Sequence, residues 1–129
     1  ILRVQIVEQR SQFDHSSQKL INSYTVQQEE LKERIIQAQD RLSSVEISYD
    51  LKVKISQVCS ELNVDGLRGD IVTNRAAIAF AAYQRKKDVT IEDIEKVITL
   101  CLRHRLRKDP LESIDSGEKV LKVFKNIFI

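Results

Sequence analysis

Arg68 lies in the run Asp65-Gly66-Leu67-Arg68-Gly69-Asp70, where a helical hydrophobic pattern begins. Glycine lets backbone approach a ligand closely, and the first turn of a helix carries N–H groups without intrahelical acceptors. A guanidinium at such a mouth suits a phosphate, because its planar fork donates two parallel charged hydrogen bonds. Arg75, two helical turns further on, shares that face. The competing assignment of Arg68 is an ion pair with a neighbouring surface carboxylate, Asp65 or Asp70.

Three other groups of residues could carry chemistry. Cys59 and Cys101 are far apart in sequence, with no Cys-x-x-Cys. They read as two small apolar side chains on inward helical faces, with a reversible redox pair left open. The two histidines, His15 and His104, sit near neither a second histidine nor a cysteine pair, so no metal site is expected. Arg103, His104, Arg105, Arg107 and Lys108 form a basic run. Its three arginines are two positions apart, about 200° around a helix, and no aromatics are interleaved. A solvated or intersubunit helix end is expected there, and no nucleic-acid groove reader. No Gly-x-x-x-x-Gly-Lys-Ser/Thr loop and no Gly-x-Gly-x-x-Gly turn occurs, so this stretch of chain is not expected to be an enzyme by itself.

The elements that must position these residues are helical. Ile1, Val4, Ile6 and Val7 precede a polar break at Asp14-His15-Ser16-Ser17, which marks a short first helix. From Leu20 to Val45 the pattern is a heptad, with Tyr24, Leu31, Ala38 and Val45 on one position and Ile21, Gln28, Ile35 and Leu42 on the other. That predicts a helix roughly 40 Å long, lying along its neighbours. A further helix over 47–62 buries Ile47, Leu51, Ile55, Val58 and Leu62 and ends at an Asp-Gly turn. The next opens at Gly69-Asp70 with Ile71, Ile78, Ala79 and Ala82 inward, its alanines keeping it narrow. Thr90-Ile91-Glu92-Asp93 has the form of a capping box. The helix it starts buries Ile91, Ile94, Val97, Ile98, Cys101 and Leu102 and stops before Asp109-Pro110. A last amphipathic helix, from about Ser116 to Phe128, buries Val120, Leu121, Phe124 and Phe128. No segment alternates with period two. An all-α helical bundle is expected.

Composition narrows the class. The chain has 129 residues, enough for one domain, and its 21 Lys and Arg nearly balance 19 Asp and Glu. A net charge of +2 excludes a polybasic tail, and 42% hydrophobic with 31% charged residues marks a folded chain. No apolar run approaches the ~20 residues that cross a bilayer. A chain that opens Ile-Leu-Arg-Val-Gln-Ile and has no methionine reads as processed, or as a piece of something longer.

A helix-opening Gly-x-Arg, then Arg-Ala-Ala, an alanine-rich helix, a basic loop and Val-Thr-x-Glu-Asp-Ile together resemble the small helical lid of an AAA+ ATPase. The run from Asn63 through Ala77, with the stretch from Ile98 through Leu111, resembles more narrowly the ATPase (I) subunit family of magnesium chelatase. The opening Leu2-Arg3-Val4-Gln5-Ile6-Val7-Glu8-Gln9-Arg10 is similar to the segment leaving the AAA+ core in that family. The resemblance spans essentially the whole chain and is weakest around His15 to Thr25.

The resemblance implies residues 1–18 as the segment leaving the core, 19–46 as a long inserted helix, and 47–129 as the lid. It implies that Arg68 is the sensor-2 arginine touching the ATP γ-phosphate, of its own or of a neighbouring subunit, with Gly66, Gly69 and Arg75 in support. ATP and Mg²⁺ would belong to the full-length protein, with the Walker residues outside this stretch and no cofactor bound by this stretch alone. The implied partners are a homo-oligomeric ring, expected as a hexamer, together with D and H subunits. That machine inserts Mg²⁺ into protoporphyrin IX on the way to chlorophyll, in a chloroplast stroma or a cyanobacterial cytoplasm. The implied redox partner of Cys59 and Cys101 is thioredoxin, and Arg103, Arg105 and Arg107 are candidates for a subunit interface. Two other classes compete: the lid of a MoxR-like chaperone, and a histone-fold-like DNA-binding module, which also carries an alanine-rich helix, a basic loop and a capped Thr-x-Glu-Asp helix.

Overall fold

The computed structural model describes every residue except Lys108, Asp109 and Glu112. Among the described residues six α-helices follow one another: α1 (Leu2–His15), α2 (Ser17–Arg41), α3 (Tyr49–Glu61), α4 (Arg68–Tyr83), α5 (Ile91–Leu102) and α6 (Ser116–Phe128). Among the described residues there is no strand, only an isolated parallel bridge between Glu46 and Asp88. The expected all-α class is what forms. The chain divides into two compact units, Ile1–Ile36 and Gln37–Ile129.

In the first unit α1 ends where Ser16 leaves helical geometry at φ −153°, ψ 87°, within the expected polar break. Gln9 Nε2 donates to the Tyr24 hydroxyl at 3.1 Å. Neither α1 nor α2 has a buried residue, and Leu2, Ile6, Val7, Ile21, Leu31 and Ile35 are all exposed. Of the heptad positions only the C-terminal ones reach a core: Ala38 packs against it and Val45 is buried.

The second unit holds that core. α4 packs against α3 and α5, and α6 closes against both of those. Ile55, Val58 and Leu62 of the α3 region meet Ile94, Ile98 and Leu102 of α5 and Val120, Phe124 and Phe128 of α6. The Phe124 and Phe128 rings stack at 4.5 Å. Thr90 and Asp93 form the expected capping box at the start of α5.

Four details depart from the sequence pattern. The long helix stops at Arg41 instead of running to Val45. The Ser44 hydroxyl donates to the Arg41 carbonyl at 2.8 Å and a 3-10 turn over Leu42–Ser44 follows. Val45 then turns extended, so that Glu46 N–H donates to Lys87 O and Val89 N–H to Glu46 O, both at 2.9 Å. α5 ends at Leu102, well before Asp109, which lies outside the described residues along with Lys108. Arg105 Nε donates back to the Cys101 carbonyl at 3.0 Å, and a 3-10 turn over Arg103–Arg105 closes the helix. α4 begins at Arg68, with Leu67 as its N-cap.

The fourth departure is the inward face of α4. It comprises Gly69, Thr73, Ala77 and Ala81 with Ala82, whereas Ile71 and Ala79 point outward. Small residues every fourth position let neighbouring helices approach closely, and that outweighs burying the larger Ile71.

Candidate functional site

Two left-handed residues shape the approach to α4. Asn63, at φ 54°, ends α3 in a Schellman turn: its N–H donates to Ser60 O at 3.1 Å, and Val64 N–H to Cys59 O at 3.0 Å. Gly66 then takes φ 68°, a region open to glycine at little cost. The chain thus reverses within a few residues and presents the first turn of α4.

Gly69 has a different reason to be glycine. A methyl group there would stand 2.9 Å from Val64 Cγ1 and 3.1 Å from Leu102 Cδ2, with Cys59 Sγ at 3.7 Å. α4 therefore starts pressed against α3 and α5, and Arg68, one residue earlier, is held facing outward.

Leu67 supplies no side-chain cap to this helix start. Arg68 is exposed, and among the described residues no ion pair or hydrogen bond engages its side chain. Both alternative partners are occupied elsewhere. Asp65 accepts from Arg107 Nη2 at 3.3 Å through each carboxylate oxygen. Asp70 faces the Cys59 thiol and raises its pKa. Arg75 is exposed on the same side of α4 as Arg68 and Ile71. The arrangement is a solvent-facing cation at a helix N-terminus, and its chemical capacity is to bind an anion.

The two cysteines lie immediately behind this mouth, buried and present as free thiols. Burial first, then the charge and hydrogen bond of Asp70, then Cys101, push the Cys59 pKa from 9.0 up to about 12. Burial also raises that of Cys101, opposed by the neighbouring Thr73 hydroxyl and by the Arg105 charge. Thiols held protonated this way are poor nucleophiles at neutral pH.

One consequence is measurable. A thiol whose folded pKa is raised adds stability below the unfolded value of 9.0 and loses it as pH climbs toward about 12. Within that window each pH unit is expected to cost the wild-type chain up to about 1.4 kcal/mol through Cys59. Urea unfolding at pH 8 and pH 10.5 should show a steeper alkaline loss for wild type than for Cys59→Ala; equal slopes would refute it.

The basic run disperses. Arg103 pairs with Asp115, the N-cap of α6, at 3.8 Å; Arg105 closes the end of α5; Arg107 takes Asp65. Sequence reasoning placed Asp93 in the capping box, but a capping box does not by itself say whether it is buried. Asp93 is 1% exposed and accepts from Thr90 N–H at 2.9 Å, Thr90 Oγ1 at 3.0 Å and Lys86 Nζ at 3.0 Å. Among the described residues no cluster of three His, Cys, Asp or Glu side chains could hold a metal ion, and no helix is long and apolar enough to cross a membrane.

Comparison with known proteins bears on the family of this fold. Residues 52–123 match the model of the AAA lid domain. The chain is 65% identical over 127 residues to magnesium-chelatase subunit ChlI of Cyanophora paradoxa, covering 98% of this chain and 37% of that protein. It is 68% identical over 127 residues to the ChlI subunit of Olisthodiscus luteus, covering 98% and 38%. For the ChlI subunit of Synechocystis the identity is 61% over 127 residues, covering 98% and 36%. The chain thus spans a little over a third of the length of these relatives.

Proposed function

The chain belongs to the AAA lid domain family, and on that premise we propose that it is the lid of the ATP-hydrolysing subunit of magnesium chelatase, with Arg68 sensing the γ-phosphate. The observation that carries the reading is Arg68 itself, exposed and, among the described residues, without a protein partner, at the start of α4 beside Gly66. Identity above 60% to ChlI subunits over nearly the whole chain favours this lid over that of a MoxR-like chaperone or a histone-fold-like DNA binder.

In this reading the full-length subunit hydrolyses Mg·ATP in a homo-oligomeric, hexameric ring and works with D and H subunits to drive Mg²⁺ into protoporphyrin IX. Its place is a plastid stroma or a cyanobacterial cytoplasm. The ligands of the nucleotide-bound metal and the Walker residues lie outside this chain, which alone is inactive. Residues 1–18 leave the ATPase core, 19–46 form the inserted helix and 47–129 the lid. Arg68 donates its paired N–H groups to the γ-phosphate at a subunit junction. Gly69 fixes where α4 starts, Gly66 allows the close approach, and Arg75 adds positive charge along the same face. Departure of the phosphate releases Arg68, and the lid moves. Arg103, Arg105 and Arg107 are placed here at a subunit interface.

The decisive test is ATP hydrolysis by the full-length subunit carrying Arg68→Ala. Hydrolysis at the wild-type rate overturns the reading.

A second element of the proposal is a redox control. Cys59 and Cys101 are buried side by side with the start of α4, close enough for one thiol to raise the pKa of the other. Their oxidation to a disulfide transfers two electrons to an oxidant and releases two protons, and a dithiol donor such as thioredoxin reverses it. The entropy model gives about 4 kcal/mol of constraint on the unfolded chain for a loop of this size. Non-reducing mass spectrometry of the oxidised protein should recover a cross-linked Cys59–Cys101 peptide; its absence removes this element.

A further inference from the structure

The rear end of the Arg68 helix is held by a residue of another helix. α4 has no basic residue in its last turn, and the nearest cations of its own segment, Arg85 and Lys86, follow its C-cap. Arg41, the last residue of α2, reaches across instead. Its Nη2 donates to the Ala82 carbonyl at 3.1 Å. That oxygen also accepts from the Arg85 N–H at 3.1 Å, in a Schellman turn completed by Lys86 N–H on Ala81 O at 2.9 Å. Arg85 itself sits at φ 62°, so this turn is tight and costly to rearrange.

The contact does not stand alone. Ala38, one turn before Arg41, packs against the core, and buried Val45 follows just after it. The Glu46 bridge then ties the same segment to Lys87 and Val89 of the α4–α5 loop. The Arg41 hydrogen bond and the Glu46 contacts thus fasten this segment to the C-terminal end of α4 and the loop that follows it. Arg68 sits at the opposite end of that rod, about 24 Å away for 16 residues.

We propose that Arg41 is a positioning residue: a C-terminal cap supplied to α4 by α2, which makes the end of the long helix and the arginine-bearing helix one rigid body and so sets where Arg68 meets its phosphate. The proposal rests on the reading of Arg68 given above. It goes beyond that reading by assigning the mechanical joint to a single side chain. Among the described residues only Nη2 of the guanidinium is engaged, and Nε is buried without a hydrogen-bond partner. A single-point cationic donor should therefore suffice, and the fork of arginine is not needed at this place.

The test is ATP hydrolysis by the full-length subunit in four forms: Arg41→Gln, Arg41→Lys, Arg68→Ala and the Arg41→Gln/Arg68→Ala pair. A displaced Arg68 acts on the transition state, so Arg41→Gln should lower kcat about tenfold with KM within about twofold. Arg41→Lys should restore most of the loss. The double variant should be no slower than Arg68→Ala alone, because a positioning residue has nothing left to position. Wild-type kcat in Arg41→Gln overturns the proposal, as does a double variant whose loss is the product of the two single losses. Thermal melting accompanies the assay: an Arg41→Gln protein unfolded at the assay temperature makes the residue a structural cap and overturns the proposal too. If Arg68→Ala itself hydrolyses normally, the Arg68 reading fails and this proposal falls with it. Loss in Arg68→Ala beside full activity in Arg41→Gln refutes the joint alone.

Discussion

Arg68→Ala in the full-length subunit is expected to lower kcat for ATP hydrolysis by about 10²–10³-fold while leaving the melting temperature nearly unchanged. The magnitude follows from what an arginine does in phosphoryl transfer. Charge spreads over the equatorial oxygens of the transferred group, and a fixed cation there acts mainly on the transition state. The unchanged melting point follows from its surroundings in this fold. Arg68 is exposed and, among the described residues, without a partner. Removing an exposed side chain of that kind changes stability by no more than about 0.5 kcal/mol. Arg68→Lys separates charge from geometry: it keeps the cation but loses the fork, and should recover only part of the rate. A large loss of rate together with a large loss of stability would mean that Arg68 supports the lid, and that its role as a phosphate contact is wrong.

The place of Arg68 at the opening of a helix, beside two glycines, was legible because a linear sequence displays such features directly. The capping box at Thr90 and Asp93 was legible for the same reason, since both partners lie within one turn. What sequence pattern could not supply was contact between distant segments. Arg41 and Ala82 are brought together only by the fold, and nothing in the spacing of either marks the pair.

The inward face of α4 shows a different limit. Reading hydrophobic size placed Ile71 and Ala79 inside, yet the packing rewards smallness, and Gly69, Thr73, Ala77 and Ala81 fill that face. Periodicity identifies a helix; which of two apolar stripes turns inward depends on the partner surface. The heptad of α2 follows the same rule. Its pattern is regular from Tyr24 to Val45, but among the described residues only Ala38 and Val45 of that pattern reach the core.

Asp93→Ala is expected to destabilise the chain by about 3 kcal/mol. Its carboxylate is almost wholly buried and accepts three hydrogen bonds, two from Thr90 and one from Lys86. Truncation removes the N-cap partner of α5, leaves the Thr90 N–H without its acceptor, and strips Lys86 of its counter-ion. The Lys86 side chain is 37% exposed, so its charge can turn toward water, which keeps the cost near the lower end for a broken buried pair. Against a total stability of about 5–15 kcal/mol, such a loss should lower the melting temperature by about 15 °C. Two companion variants apportion it. Asp93→Asn keeps an acceptor for Thr90 N–H but loses the charge, and should cost roughly half as much. Lys86→Ala removes only the half-exposed partner and should cost less than about 1 kcal/mol. Thermal and urea unfolding of the three variants should rank them in that order. If Lys86→Ala proved as damaging as Asp93→Ala, the ion pair would be the source of the stability and the capping bonds incidental. If Asp93→Ala melted within a few degrees of wild type, the α4–α5 loop must be held by the Glu46 bridge and by buried Val89 alone. The junction that Arg41 completes would then owe nothing to the α5 cap.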